Sequence, residues 1–182
     1  SRFFDCLDLN QIQGVRQLCL KNTWNFFNNV HSVAQCVPTM VNYEVLDEDT
    51  VVCDLRLKLG LIPLDSKATM SITERKDNRH LEARGQTEAG ENLKKFGKVA
   101  TETITKLHMV LDLEEIEPHK TRISLLLQAD AVGQMKRIYE SIIKGQRSKL
   151  ESQFVSNIGA GLKTDVVIEK SEASFSKFQK AS

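Results

Sequence analysis

From about residue 41 to residue 129 the chain alternates apolar and polar side chains in short blocks separated by turn residues. A period of two belongs to strands with one dry face and one wet face. Residues 51–59 show it best: Val51, Cys53, Leu55, Leu57 and Leu59 fall on one side, and Val52, Asp54, Arg56 and Lys58 on the other. Before them Val41, Tyr43 and Val45 alternate with Asn42 and Glu44, and residues 47–49 form an acidic turn cluster. Gly60, Leu61, Ile62 and Pro63 then interrupt the ladder and predict a bend or bulge. Further dry faces follow at Ala68, Met70 and Ile72, and at Leu81, Ala83 and Gly85. Two more lie at Leu107, Met109, Leu111 and Leu113, and at Ile123, Leu125, Leu127 and Ala129. Residues 76–78 and 118–120 read as turns, and residues 87–97 as a longer, mobile hairpin loop. No helical pattern separates consecutive strands after Met40, so the sheet is expected to be antiparallel.

Helices are expected on either side of this run. Residues 12–20 read as a first strand, followed by a short helix that Asn22 or Thr23 would cap, with Trp24, Phe26 and Phe27 on its dry side. A second short helix around residues 32–36 should stop before Pro38, because the residue preceding a proline resists helical geometry. After Gly133, apolar residues recur at Met135, Ile138, Tyr139, Ile142, Ile143, Leu150, Phe154 and Ile158. These spacings predict one long helix over residues 135–158, roughly 36 Å long, ended by Gly159 and Gly161. The expected fold is α+β: a seven-stranded antiparallel sheet wrapped around a long C-terminal helix, with two short helices after the first strand. Residues 1–162 form the expected domain, and residues 163–182 a polar, disordered tail.

A one-sided sheet must be covered, and only the long helix is large enough to do it. A sheet gripping a single helix leaves room for a cavity between the two, which favours ligand binding over catalysis. Its expected lining comes from Leu55, Leu57, Met70 and Ile72 on the early strands, and from Met109, Leu111, Leu125 and Leu127 on the later ones. Ile138, Ile142 and Phe154 complete it from the helix. Plain core packing would use the same pattern. Gln146 falls within the apolar face of the helix, and Gln153 and Asn157 lie near it. Burying an unpaired amide costs about 1–3 kcal/mol, so these amides either bond the polar group of a ligand or bond strand edges and water. Gly145 would permit close approach of helix to sheet.

Composition narrows the class. A length of 182 residues suits one domain with a core of its own, and a net charge of +1 gives no bulk reason to expect nucleic acid. No apolar run approaches the roughly 20 residues of a membrane span. The first six residues lack the apolar stretch of a secretion signal, so the expected compartment is the cytoplasm. Cys6, Cys19, Cys36 and Cys53 show no CxxC spacing and read as reduced thiols, not as a zinc site or a disulfide framework.

No nucleophile elbow, phosphate loop, zinc-protease helix or dinucleotide fingerprint is present in the sequence. No catalytic residue, metal ligand or resident cofactor is therefore assigned. His108 falls on the outer face of its strand, His80 and His119 sit near turns, and His31 lies in a helical corner with nothing to orient it towards Cys36.

Particular residues carry a resemblance. Trp24, Phe27, Asn28-Asn29 and then Cys36-Val37-Pro38 are similar to the opening "VWxxLxDPxxLxxCIPG" of the CoxG family of carbon monoxide dehydrogenase proteins, with Asn29 in the place of its aspartate and Thr39 in the place of its last glycine. Leu46-Asp47-Glu48-Asp49, the strand after it and Gly60-Leu61-Ile62 resemble that family's "LDEDxYxxxVxVxxGPI" stretch. The similarity runs from about residue 12 to residue 161. The family's proline-rich link ahead of the first helix is missing, and residues 90–97 replace its glycine-rich segment. The resemblance implies a helix-grip fold of the START and Bet v 1-like superfamily, with an elongated apolar cavity and no catalytic motif. It also implies a bound quinone or lipid and a molybdenum hydroxylase as partner, at the inner face of the membrane.

Three functions compete on these grounds. The first is a carrier of a hydrophobic molecule such as a quinone or lipid. The second is a small cyclase, dehydratase or hydrolase acting on an aromatic or polyketide-like substrate in the same cavity; it needs an ionisable group inside. The third is an adaptor that touches a membrane peripherally, with Phe175, Lys177, Phe178 and Lys180 as candidate contacts.

Overall fold

The computed structural model describes residues 4–11, 19–90, 104–131, 133–163 and 166–172. In chain order these form β1 (Phe4–Gln11), α1 (Leu20–Phe27), α2 (Val30–Ala34), β2 (Met40–Val45), β3 (Thr50–Leu59), β4 (Ile62–Lys76), β5 (His80–Ala89), β6 (Thr105–Glu117), β7 (Lys120–Asp130), α3 (Gly133–Leu162) and β8 (Val166–Glu172). The strands make one antiparallel sheet in the order β2-β3-β4-β5-β6-β7-β1-β8. The six strands β2 to β7 are consecutive in both chain and sheet, as hairpin spacing requires.

The dry faces of β3 to β7 fall where the alternation puts them, but on β2 Val41 and Val45 are exposed, at 59% and 41%, and only Tyr43 and Met40 are partly covered. Val51, Cys53, Ala68, Leu81, Ala83, Leu111, Leu113, Ile123, Leu125 and Ala129 are buried. The helix α3 covers that face along its length. Met135 and Ile142 pack with Leu64, Ile143 with Ala129 and Ala131, and Val155 and Ile158 with Leu81, Leu111, Ile123 and Trp24. Trp24 and Phe27 turn inward from α1, and Phe26 meets Phe27 edge-on at 5.2 Å.

Several expectations are corrected. The first strand lies at Phe4–Gln11, ahead of the expected span, and Leu20 begins α1; residues 12–18 lie outside the described ones. Cys19, not Asn22 or Thr23, is the N-cap of α1. Thr23 is instead inside the helix, its hydroxyl donating to the Cys19 carbonyl at 3.1 Å. Of the bend or bulge expected at residues 60–63 it is a bend that forms: Gly60 and Leu61 are a two-residue turn between paired Leu59 and Ile62, and Gly60 supplies the positive φ of +63°. Thr87–Ala89 belong to β5, not to a loop. The helix α3 runs through Gly159 and Gly161 and stops where Lys163 takes a φ of +57°.

Among the described residues the sheet has eight strands rather than seven. Val166–Glu172, expected in a disordered tail, forms β8 on the free edge of β1. Val166, Val167 and Ile168 have the β propensity for it, and an unpaired edge of β1 offers the backbone partners. Residues 173–182, with the candidate membrane contacts Phe175, Lys177, Phe178 and Lys180, lie outside the described residues.

Candidate ligand cavity

A hollow of about 370 Å³ lies between the middle of the sheet and α3, roofed by α2 and the segment after it. Pockets that take a drug-sized molecule span roughly 300–1,000 Å³. Its floor comes from the five strands β3 to β7, with Leu81 and Ala83 supplied by β5. Leu55 and Leu57 of β3, Met70 and Ile72 of β4, Met109 of β6, and Leu125 and Leu127 of β7 all reach it, and Phe154 of α3 closes the far side. These residues recur at period two on the strands, so successive inward side chains pave one concave surface.

Four residues expected there are elsewhere. Leu111 is fully buried among Trp24, Leu113 and Ile158, under α1, where the space is solid. Ile142 and Ile138 pack around Leu64 and Met135 near the start of α3. Gln146 faces the sheet edge, its Nε2 donating to the Lys58 carbonyl at 2.6 Å. Asn157 donates to the Cys36 carbonyl at 2.9 Å. The two amides thus satisfy backbone acceptors and do not line the cavity.

The roof is fixed by polar ties that the sequence pattern does not reveal. Asn29 caps α2 by accepting from the amides of His31 and Ser32. Tyr43 of β2 meets His31 Nδ1 at 2.8 Å. Arg75 of β4 donates to Asn28 at 2.6 Å and pairs with Asp49 at the rim at 2.5 Å. These bonds hold α2 to β2 and the end of α1 to β4, and the Asn157 bond holds the segment after α2 to α3.

The wall is polar at two levels of α3. Tyr139, Thr87 and Thr105 form the first. Both threonines are buried, and their hydroxyls hydrogen-bond to the Tyr139 phenol. Burial pushes that phenol above its ordinary value, and the two threonine bonds pull the other way. Glu151 forms the second, only 8% exposed, with Arg147 Nε donating to its Oε1 at 2.6 Å. Twelve residues of helix put the two levels roughly 18 Å apart along its axis. Cys53 also lines the hollow, and burial chiefly, with Asp54 adding, pushes its thiol up to about 11. It is an apolar wall atom, not a nucleophile.

Sequence periodicity misses Tyr139, Thr87, Thr105 and Glu151 as site residues. Tyr139 reads as an ordinary position on the apolar stripe. The two threonines flank a stretch whose glycines and lysines suggest a loop, and Glu151 looks like a solvated helix charge.

A sheet closed over one helix, with an apolar hollow between them, defines a helix-grip protein of the START and Bet v 1-like class. The sequence matches the carbon monoxide dehydrogenase CoxG family over residues 20–163, and the chain belongs to that family. No curated protein matches it in sequence. Among solved structures, it is similar to a conserved protein from Geobacillus kaustophilus at 17% identity and a TM-score of 0.64, over 88% of this chain and 98% of that one. A protein from Arthrobacter aurescens is similar at 14% identity and 0.55, over 87% and 86%. The Zhui aromatase/cyclase from Streptomyces sp. R1128 is similar at 9% identity and 0.51, over 87% and 94%. At these identities the likeness establishes the shared fold.

Proposed function

We propose that the protein is a binding and carrier protein for an elongated hydrophobic molecule with an oxygen-bearing head, a quinone or comparable lipid. The observation that carries this reading is the wall itself: leucines, methionines, isoleucine and phenylalanine over most of the hollow, with one hydroxyl cluster at Tyr139, Thr87 and Thr105. An apolar guest gains about 25 cal/mol for each Å² it removes from water. The hydroxyl cluster gives one place where a carbonyl or hydroxyl can be bonded, which orients the guest. Met70 and Met109 let the wall adapt to its shape. Family membership supports service to a molybdenum hydroxylase of the carbon monoxide dehydrogenase type at the cytoplasmic face of the membrane. Among the described residues no helix is long and apolar enough to cross a membrane. The β3–β4 turn carries Leu61, 99% exposed, beside half-exposed Ile62, a shape suited to a weak peripheral contact.

Extraction and mass spectrometry of protein from its own host, with titration of the emptied protein against quinones and lipids, tests this. A stoichiometric hydrophobic molecule, or saturable binding of one class, is expected. An empty protein that binds neither class overturns the carrier reading.

One observation favours a second reading. Glu151 is a buried carboxylate in the cavity wall, the ionisable group that a cyclase or dehydratase of aromatic or polyketide-like substrates needs. Its Oε1 is already engaged by Arg147, which is why the carrier stands first. Turnover of such a substrate that is lost in Glu151→Gln would reverse the order.

A further inference from the structure

Strand register gathers a histidine and two carboxylates on the outer face of the sheet, opposite the cavity. On β5, His80 and Glu82 alternate with buried Leu81 and Ala83, so both point outward. Glu74 of β4 stands directly across from Glu82, and Asp112 of β6 across from His80. One ligand atom each from Glu74, His80 and Glu82 lies within 4.8 Å of the others. The side chains of His80 and Glu82 are only 18% and 22% exposed.

Three features set this apart from an ordinary charged surface. Glu74 and Glu82 are like charges directly opposite each other, a pairing that is destabilising on its own. His80 is aimed: its Nδ1 lies 2.6 Å from Asp112 Oδ1, which leaves Nε2 at 3.3 Å from Glu82 Oε1. Two ligands each about 2.1 Å from one tetrahedral zinc ion are separated by about that distance. A carboxylate behind a ligating imidazole is the usual support for such a ligand. Beside them, His108 has Nδ1 at 3.3 Å from Gln128 Oε1, while its buried Nε2 makes no hydrogen bond and sits 3.5 Å from Glu82 Oε2. The competing cation is Lys76, whose Nζ is 3.6 Å from Glu74 across a largely exposed pair.

We propose that Glu74, His80 and Glu82 bind one divalent transition-metal ion, with His80 Nε2 and one oxygen of each glutamate as ligands and solvent in the remaining position. Asp112 is a positioning residue that orients the imidazole. The mixed nitrogen and oxygen donors favour zinc, cobalt or nickel over magnesium and calcium. The ion would pin β4 to β5 on the face remote from the cavity, so the site stands or falls independently of what the cavity holds.

The test is calorimetric titration of the chelator-stripped full chain with Zn²⁺, and visible absorption with Co²⁺. One equivalent should bind and raise the thermal midpoint. His80→Ala and the near-isosteric Glu82→Gln should abolish binding, and Asp112→Asn should weaken it about ten- to a hundredfold. His119→Asn should leave it unchanged. Circular dichroism checks each fold, and should His80→Ala unfold, Glu82→Gln decides. Absence of zinc binding, unaltered binding in Glu82→Gln, or cobalt–thiolate bands marking the cysteines as the ligands would each overturn the proposal.

Discussion

Thr87 and Thr105 stand directly opposite each other on β5 and β6, and both hydroxyls turn to the phenol of Tyr139 on α3. This ties sheet to helix and gives the cavity one of its two polar levels. Tyr139→Phe keeps the ring and removes the partner of two buried hydroxyls. It should cost about 1 kcal/mol of stability in urea unfolding. Binding of an oxygen-headed guest should weaken by about fivefold to tenfold, the equivalent of one hydrogen bond. A plain hydrocarbon probe of equal length should bind as before. Equal losses for both probes would mean that the phenol shapes the wall instead of bonding the head.

Ala83 is buried on the cavity floor between Ile72 and Met109 of the neighbouring strands. In a filled core, Ala83→Leu would cost about 1–3 kcal/mol through overpacking. Here the added carbons have a hollow to enter. The thermal midpoint should stay within a few degrees of the parent while affinity for a hydrophobic probe falls at least about tenfold, the two being read by scanning calorimetry and fluorescence titration. A large drop in midpoint would show that the site is packed, not hollow.

The binary pattern makes the sheet and the cavity floor legible because period two has a direct structural meaning on strands. Leu55, Leu57, Met70, Ile72, Met109, Leu125 and Leu127 line the hollow for that reason. The helix side is less legible. A stripe of apolar residues on α3 covers both a solid region, where Ile138 and Ile142 pack on Leu64, and the hollow, where Tyr139, Leu150 and Phe154 border it. Periodicity cannot separate the two, since both need apolar side chains. The edge strands are the other weak point. Strand β8 begins with the β-branched Val166, Val167 and Ile168, but what seats it is the free edge of β1, which is a tertiary cause. The His80 cluster is invisible in the sequence for a similar reason: its members come from β4, β5 and β6, and only the register makes them neighbours.

Gly145 sits in the middle of α3 on its exposed face, and a Cβ placed there meets nothing within 4 Å. The expected close approach to the sheet does not occur, so the glycine has only its cost in helix propensity. Gly145→Ala should therefore stabilise the protein by about 0.5–1 kcal/mol. Ligand affinity should not change, because the position is not on the cavity wall. Chemical unfolding of the pair of proteins checks it, and a destabilised alanine variant would mean that the helix bends at this point.

Arg56 of β3 and Asp65 of β4 face each other in register, and the guanidinium donates twice to the carboxylate, at 2.6 and 3.1 Å. The Arg56 hydrogen bond, with its charge adding, holds the Asp65 carboxyl below its ordinary value of 3.8, against the opposing effect of partial burial. A carboxyl depressed in the folded state binds its proton more readily once unfolded. Its contribution is therefore fully present above pH 3.8 and is lost as the pH falls through the lower folded value. Asp65→Asn should be less stable than the parent at neutral pH, and the difference should shrink as the solution is acidified through that window. The pair lies near the surface, so the effect should also weaken in high salt. Urea unfolding of both proteins across the acidic range measures it. A difference that persists unchanged below the window would mean that Asp65 acts through packing or hydrogen bonding of its neutral form, not through its charge.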